Sequence, residues 1–206
     1  MALNIVELVS KQLDGEKIQH LSAWLGERPE AIQKALNAGI PSLIGGLTQS
    51  AKNNENAASL LSTLTAAAKE PDPRENFSDA LGREDSPLLR KGQKMLNALL
   101  PDQLDGIIRK ISQYSGMGQD SVNSLLKAIM PLIMSVIGRQ QSDLGLDAGG
   151  LQKLFASQSQ HIQAALPEQL SQYTAKAKSA SFGKTLVWIV IIAAIGWILW
   201  QWLQQQ

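Results

Sequence analysis

Apolar residues recur at helical spacing from Asn4 almost to Lys184, and polar residues fill the faces between them. Ile5, Val6, Leu8, Val9 and Leu13 form a first apolar stripe, with Asn4 placed to cap it. Asp14-Gly15 interrupts that stripe. Ile18, Leu21, Trp24 and Leu25 form a second, which Gly26 should end from the position just past the helix. Pro29 suits the first turn of a third helix, carried by Ile32, Ala35, Leu36, Ile40, Leu43, Ile44 and Leu47. No run before Lys184 alternates with period two, and β-branched and aromatic residues are few, so the pattern predicts no strand and an all-α fold.

The same layout returns ninety residues later. Ile108, Ile111, Ser112, Tyr114 and Gly116 repeat Ile18, Leu21, Ser22, Trp24 and Gly26. Val122, Leu126, Ala128, Pro131, Ile133 and Ile137 repeat Ile32, Leu36, Ala38, Pro41, Leu43 and Leu47. The shared glycine and proline positions go beyond what apolar periodicity produces, and they predict a duplicated helical unit. Pro41 and Pro131 lie inside apolar helical stretches. Each removes an N–H and crowds the preceding turn, so each should kink or break its helix.

Composition then divides the chain. Residues 1–70 form the first repeat. Residues 71–86, rich in Pro, Asp and Glu, read as an exposed linker. Ser86-Pro87 opens the second repeat, residues 87–175, whose first helix carries Leu88, Leu89, Met95, Leu96 and Leu99. Residues 140–150 read as a loop, and residues 176–184 as a small, polar tether.

Residues 185–203 break the amphipathic pattern. From Leu186 to Leu203 the sequence is LVWIVIIAAIGWILWQWL, with no charge. As a helix it would span roughly 27 Å, close to the thickness of a bilayer's hydrocarbon core. Trp188 stands near one end, and Trp197, Trp200 and Trp202 near the other, as indole rings favour the two lipid–water boundaries. Lys176, Lys178 and Lys184 precede the segment, and no basic residue follows it. The positive-inside bias therefore predicts a single-pass anchor with the N-terminal bulk in the cytoplasm. The N-terminus lacks the basic and apolar regions of a secretory signal.

The net charge of +1 conceals an asymmetry. Residues 1–85 hold eight Lys/Arg against twelve Asp/Glu, and residues 86–206 hold eleven against six. A basic half beside a membrane suits anionic headgroups. The densest basic set, Arg90, Lys91, Lys94, Arg109 and Lys110, has no interleaved aromatics, so it reads as a solvated face and no nucleic acid is expected. The absence of cysteine excludes disulfides, thiolate metal sites and cysteine catalysis.

Tests for chemistry return no catalytic residue, no metal site and no cofactor. His20 and His161 lack metal-ligand spacing. Asp143 and Asp147 lack the alternate ligands of a calcium loop. Gly116-Met117-Gly118 follows a helix rather than a strand, so it has no dinucleotide-binding meaning. Apolar surface is what remains. Beside its ordinary reading as core, the long helix of each repeat suggests a groove for a partner helix. Gly45 and Gly46 would provide space, and Met130 and Met134 an adaptable wall.

Leu13-Asp14-Gly15, Arg28 to Leu36 and the element Ile40-Pro41-Ser42-Leu43-Ile44-Gly45-Gly46-Leu47 together resemble the bacterial family called domain of unknown function 937. The likeness runs from about Asn4 to Ala165 and is sharpest in the first repeat. In the second repeat Ser135-Val136 replaces Gly45-Gly46. The resemblance implies an all-helical fold, a bacterial source and an inner-membrane location, and it supplies no activity. Some members continue through a transmembrane helix into a peptidoglycan-binding domain. This chain stops after the helix, so cell-wall binding is not carried over. The expectation is a tail-anchored helical scaffold without catalytic activity on the cytoplasmic face of the inner membrane. Its partners are the lipid bilayer and a protein partner or a second copy. The alternative is a membrane-remodelling or pore-forming helical protein.

Overall fold

Helices begin and end where local chemistry directs. In the computed structural model, which describes residues 3–75, 77–81, 83, 86–168 and 170, the Asn4 side chain accepts the Glu7 N–H at 3.1 Å and caps α1 (Ile5–Ser10). Asp14 does the same for α2 (Gly15–Leu25), accepting the Lys17 N–H at 3.0 Å. Gly26 ends α2 in the left-handed region at φ +65°, where a side chain is strained. Pro29 starts α3 (Pro29–Ser50), and Asn53 caps α4 (Asn54–Lys69). The second repeat follows with α6 (Pro87–Leu99), α7 (Leu104–Ser115), α8 (Gln119–Asp143) and α9 (Ala148–Ser157). Between the repeats lies α5 (Phe77–Leu81), and α10 (Ser159–Ala165) follows the second. No strand occurs among the described residues, so the fold is all-α.

The duplication extends to individual hydrogen bonds. Ser22 Oγ donates to the Glu27 carbonyl at 2.6 Å, and Ser112 Oγ donates to the Met117 carbonyl at 2.7 Å. Both serines bridge the turn around a left-handed glycine, Gly26 in one repeat and Gly116, at φ +79°, in the other. Of the two outcomes expected at the prolines, a kink or a break, the break does not occur. Both α3 and α8 run on through Pro41 and Pro131 without a break. A proline removes one ladder bond, and burial of the flanking turns on neighbouring helices holds the rest.

The chain divides into two compact units, Met1–Pro167 and Glu168–Gln206. All ten described helices belong to the first unit, so the two repeats share one core. They are interleaved rather than side by side. α4 lies against α8, and reciprocally α9 lies against α3; α3 lies on α7, and α8 lies on α2. Each repeat thus places its outer helix on the other's long helix. The contact of α4 with α8 is close, because a methyl group at Gly138 would fall 2.5 Å from the Leu64 carbonyl oxygen.

The chain also closes on its start. Gln158, fully buried between α9 and α10, accepts the Ile5 N–H and donates to the Leu3 carbonyl, each at 2.9 Å. Those bonds satisfy main-chain groups near the start of α1 that would otherwise be costly to bury.

The segment 71–86 is not the exposed linker its composition suggests. Phe77 and Leu81 are both buried, one helical turn apart on α5, which lies against α2 and α6. The tether at 176–184, the segment 185–203 and its Trp188, Trp197, Trp200 and Trp202 lie outside the described residues.

Candidate functional site

The strap that follows α4 is fixed by one carboxylate. Asp72 Oδ1 accepts the Arg74 main-chain N–H at 3.0 Å, and Oδ2 accepts Arg74 Nε at 2.6 Å. Arg139, from the end of α8, reaches the same Oδ2 at 2.7 Å, and Arg74 Nη1 donates to Gln12 Oε1 at 2.6 Å. Burial alone would raise the Asp72 pKa. The bonds from Arg74, together with the Arg139 bond, override it and bring the carboxyl down to about 2. A group so far below neutrality has no use as a general base at pH 7, and its role is to tie the strap to α8 and to the turn after α1.

The pH dependence follows from that shift. The folded-state value lies below the ordinary 3.8, so the ion pair's stabilisation is complete above about 3.8 and fades as pH falls toward about 2. Asp72→Asn should therefore melt below wild type at pH 7. The gap between the two Tm values should close as pH is lowered through that window. Equal melting temperatures at pH 7 would show that the strap adds nothing to stability.

Under the strap is a cavity of about 480 Å³. Its floor is α8, through Pro131 and Ser135, and its walls include Ala67 of α4, Pro71 and Pro73 of the strap, Ala80 of α5 and Leu88 of α6. Charges of both signs ring it: Glu70, Asp72, Asp79, Arg83 and Lys91. Lys91 pairs with Glu70. Ser86, at the start of α6, is fully buried, and its hydroxyl oxygen has no hydrogen-bond partner. A second cavity, about 400 Å³, is polar and lies among Asp105, Arg109, Asp120 and Asn123.

The four residues expected to form a partner groove do not share an open surface. Met130 and Met134 are fully buried on α8. Gly46 lies under the turn after α6, where a methyl group would come 2.7 Å from Leu100 Cδ2. At Gly45 the same addition would meet Ile162 Cγ2 of α10 at 3.6 Å. A helix does lie over Gly45, but it is the chain's own α10, and the space at Gly46 is taken by Leu100. Small residues on an apolar face mark close approach, and in a sequence an internal helix and a foreign one leave the same signature.

Of the basic set, Arg90, Lys94, Arg109 and Lys110 are exposed, and Lys91 is engaged with Glu70. His20 Nδ1 meets the Ser78 hydroxyl and joins α2 to α5. Among the described residues, no group of three or more His, Asp or Glu is placed to hold a metal. The cavity under the strap was missed in the sequence, because a Pro- and Asp-rich run resembles solvated coil until Phe77 and Leu81 are recognised as one buried helical face. Residues 7–140, from within α1 to near the end of α8, match a family described as a bacterial protein of unknown function (DUF937). No curated protein and no solved structure matches the chain.

Proposed function

The chain belongs to the bacterial DUF937 family, and from that premise we propose that it is a tail-anchored helical scaffold without catalytic activity, held on the cytoplasmic face of the inner membrane. The observation that carries this reading is the uncharged stretch Leu186 to Leu203, with Trp188 at one end and Trp197, Trp200 and Trp202 at the other. Lys176, Lys178 and Lys184 on its N-terminal side give the orientation. The partners are the bilayer and a protein, either another species or a second copy of the chain.

Fractionation tests the anchor. Full-length protein should remain in the membrane pellet through a carbonate wash and leave it only with detergent. Truncation after Gly183 should move the protein to the supernatant while it keeps its helical circular dichroism and a cooperative melt. Full-length protein in a detergent-free supernatant would overturn the reading. Crosslinking in intact cells tests the scaffold role, and recovery of monomer and lipid alone would count against it.

One observation favours a second reading, membrane remodelling or pore formation. α8 is long and apolar enough to cross a bilayer by length and composition. Most of its apolar window is buried inside the fold, however, and among the described residues Leu144 is the one large hydrophobic side chain that is exposed. Insertion would have to open the core first, so the scaffold reading is preferred. Dye-loaded anionic vesicles should stay tight when the protein is added, and leakage would support the pore.

A further inference from the structure

Ser86 holds the N-cap position of α6, where a serine ordinarily turns its oxygen onto the N–H groups of the first turn. Here it makes no such bond, although the residue is fully buried and its hydroxyl has no hydrogen-bond partner. The main chain of Ser86 is already engaged. Its N–H donates to the Arg83 carbonyl at 3.2 Å, and its carbonyl accepts the Arg90 N–H at 3.0 Å. The hydroxyl alone is left over, on a residue that lines the cavity under the strap. A buried hydroxyl without a partner is costly, and a bound group that meets it removes the cost.

The surroundings define the chemistry of that group. Leu88, also in the cavity wall, lies in the first turn of a 13-residue helix, where the helix itself supplies no acceptor for the N–H. That turn carries no acidic residue, and such helix ends attract anions. Of the charged residues in the lining, Glu70 is paired with Lys91, and Asp72 with Arg74 and Arg139. Asp79 and Arg83 remain, both exposed and in no ion pair among the described residues. The main-chain bond to Ser86 anchors Arg83 beside the start of α6, whereas Asp79 belongs to α5. One free cation and one helix end suit a single negative charge better than a phosphate dianion. Ala67, Leu88 and Pro131 add apolar wall, and the volume falls in the range of small-molecule pockets, about 300–1,000 Å³. Pro71, Asp79, Arg83 and Pro87 line the cavity and are exposed, so solvent reaches it.

We propose that the cavity under the strap binds a small aliphatic monocarboxylate, whose carboxylate accepts the Ser86 hydroxyl at the free end of α6 and whose carbon chain lies against Ala67, Leu88 and Pro131. Arg83 stands at the mouth and attracts the charge. The inference goes beyond the scaffold reading and depends on neither the anchor nor a protein partner.

Full-length protein in nanodiscs is titrated with isovalerate, and binding is followed by calorimetry and by melting temperature. Saturable binding and a raised Tm are expected. Isovaleramide keeps the carbon chain without the charge, and inorganic phosphate keeps the charge without the chain; each should bind at least about tenfold more weakly. Ser86→Ala should weaken isovalerate binding by about the same factor, while the unliganded variant melts at or above wild type, because it loses an unpartnered hydroxyl and no cap bond. Arg83→Gln, at an exposed position, should weaken binding roughly threefold and leave the unliganded melt unchanged. No saturable binding of isovalerate to wild type overturns the proposal. So does equal binding by Ser86→Ala, an unliganded Ser86→Ala that melts below wild type, or phosphate bound as tightly as isovalerate.

Discussion

An Ile133→Asp chain is expected to lose its cooperative thermal transition at pH 7. Ile133 is fully buried on α8, the helix on which α4 and α6 both lie. The substitution removes an aliphatic side chain whose burial contributes about 1.5–3 kcal/mol. It also puts a carboxylate at a fully buried position, at a further cost of several kcal/mol. The sum rivals the entire stability of a typical domain, about 5–15 kcal/mol. The new carboxyl would escape part of the cost by staying protonated, since burial raises its pKa. Near pH 4, where Asp72 is still ionised, some structure should therefore return. Ile133→Val, which removes one methylene, should cost only about 0.5–1.5 kcal/mol and retain the transition. Leu126→Asp, equally buried, should behave like Ile133→Asp. A wild-type melt from either Asp variant would mean that α8 faces outward, and the pore reading would gain.

Features decided within one or two turns were legible in the sequence. Asn4, Asp14, Gly26 and Pro29 act where their chemistry predicts, because capping, left-handed φ and a missing N–H are local effects. The duplication was legible through Gly116 and Pro131, and the paired bonds of Ser22 and Ser112 show that the match reaches side-chain detail. Long-range contacts were not legible. Gln158 reads as an ordinary surface glutamine, yet it is fully buried and binds the main chain at Leu3 and Ile5. Asp72 belongs to an acidic run, and only folding brings Arg139 to it. The glycine pair at 45–46 was read as space for a partner helix, and the groups beside it, Ile162 and Leu100, come from distant parts of the same chain. The cavity under the strap has the same origin, since nothing local to Pro131 or Ser135 tells that the strap and α5 lie over them.

Gly92→Ala reverses the sign that helix propensity alone would give. In an exposed helix interior, alanine is favoured over glycine by about 0.5–1 kcal/mol. Gly92, inside α6, is buried against α8, and a methyl group there would lie 1.8 Å from the Lys127 carbonyl oxygen and 2.7 Å from its carbon. Lys127 is the residue four before Pro131, so its carbonyl is the one for which Pro131 has no N–H to offer. Proline and glycine thus work as a pair: Pro131 leaves a main-chain oxygen free of the usual ladder bond, and Gly92 lets α6 approach it. Neither obstacle is a side chain that can change rotamer, so α6 must move off α8 as a whole. Overpacking of this kind costs about 1–3 kcal/mol and occasionally more, and a backbone clash belongs at the upper end. Because α6 also walls the cavity under the strap through Leu88 and Lys91, the shift should distort that cavity as well. Gly106 of α7 is the internal control. No neighbouring atom lies within 4 Å of an added methyl group there, so Gly106→Ala should hold or raise the melting temperature. Chemical denaturation of the two variants side by side separates packing from propensity. Stabilisation of both by similar amounts would show that α6 does not touch α8 at Gly92.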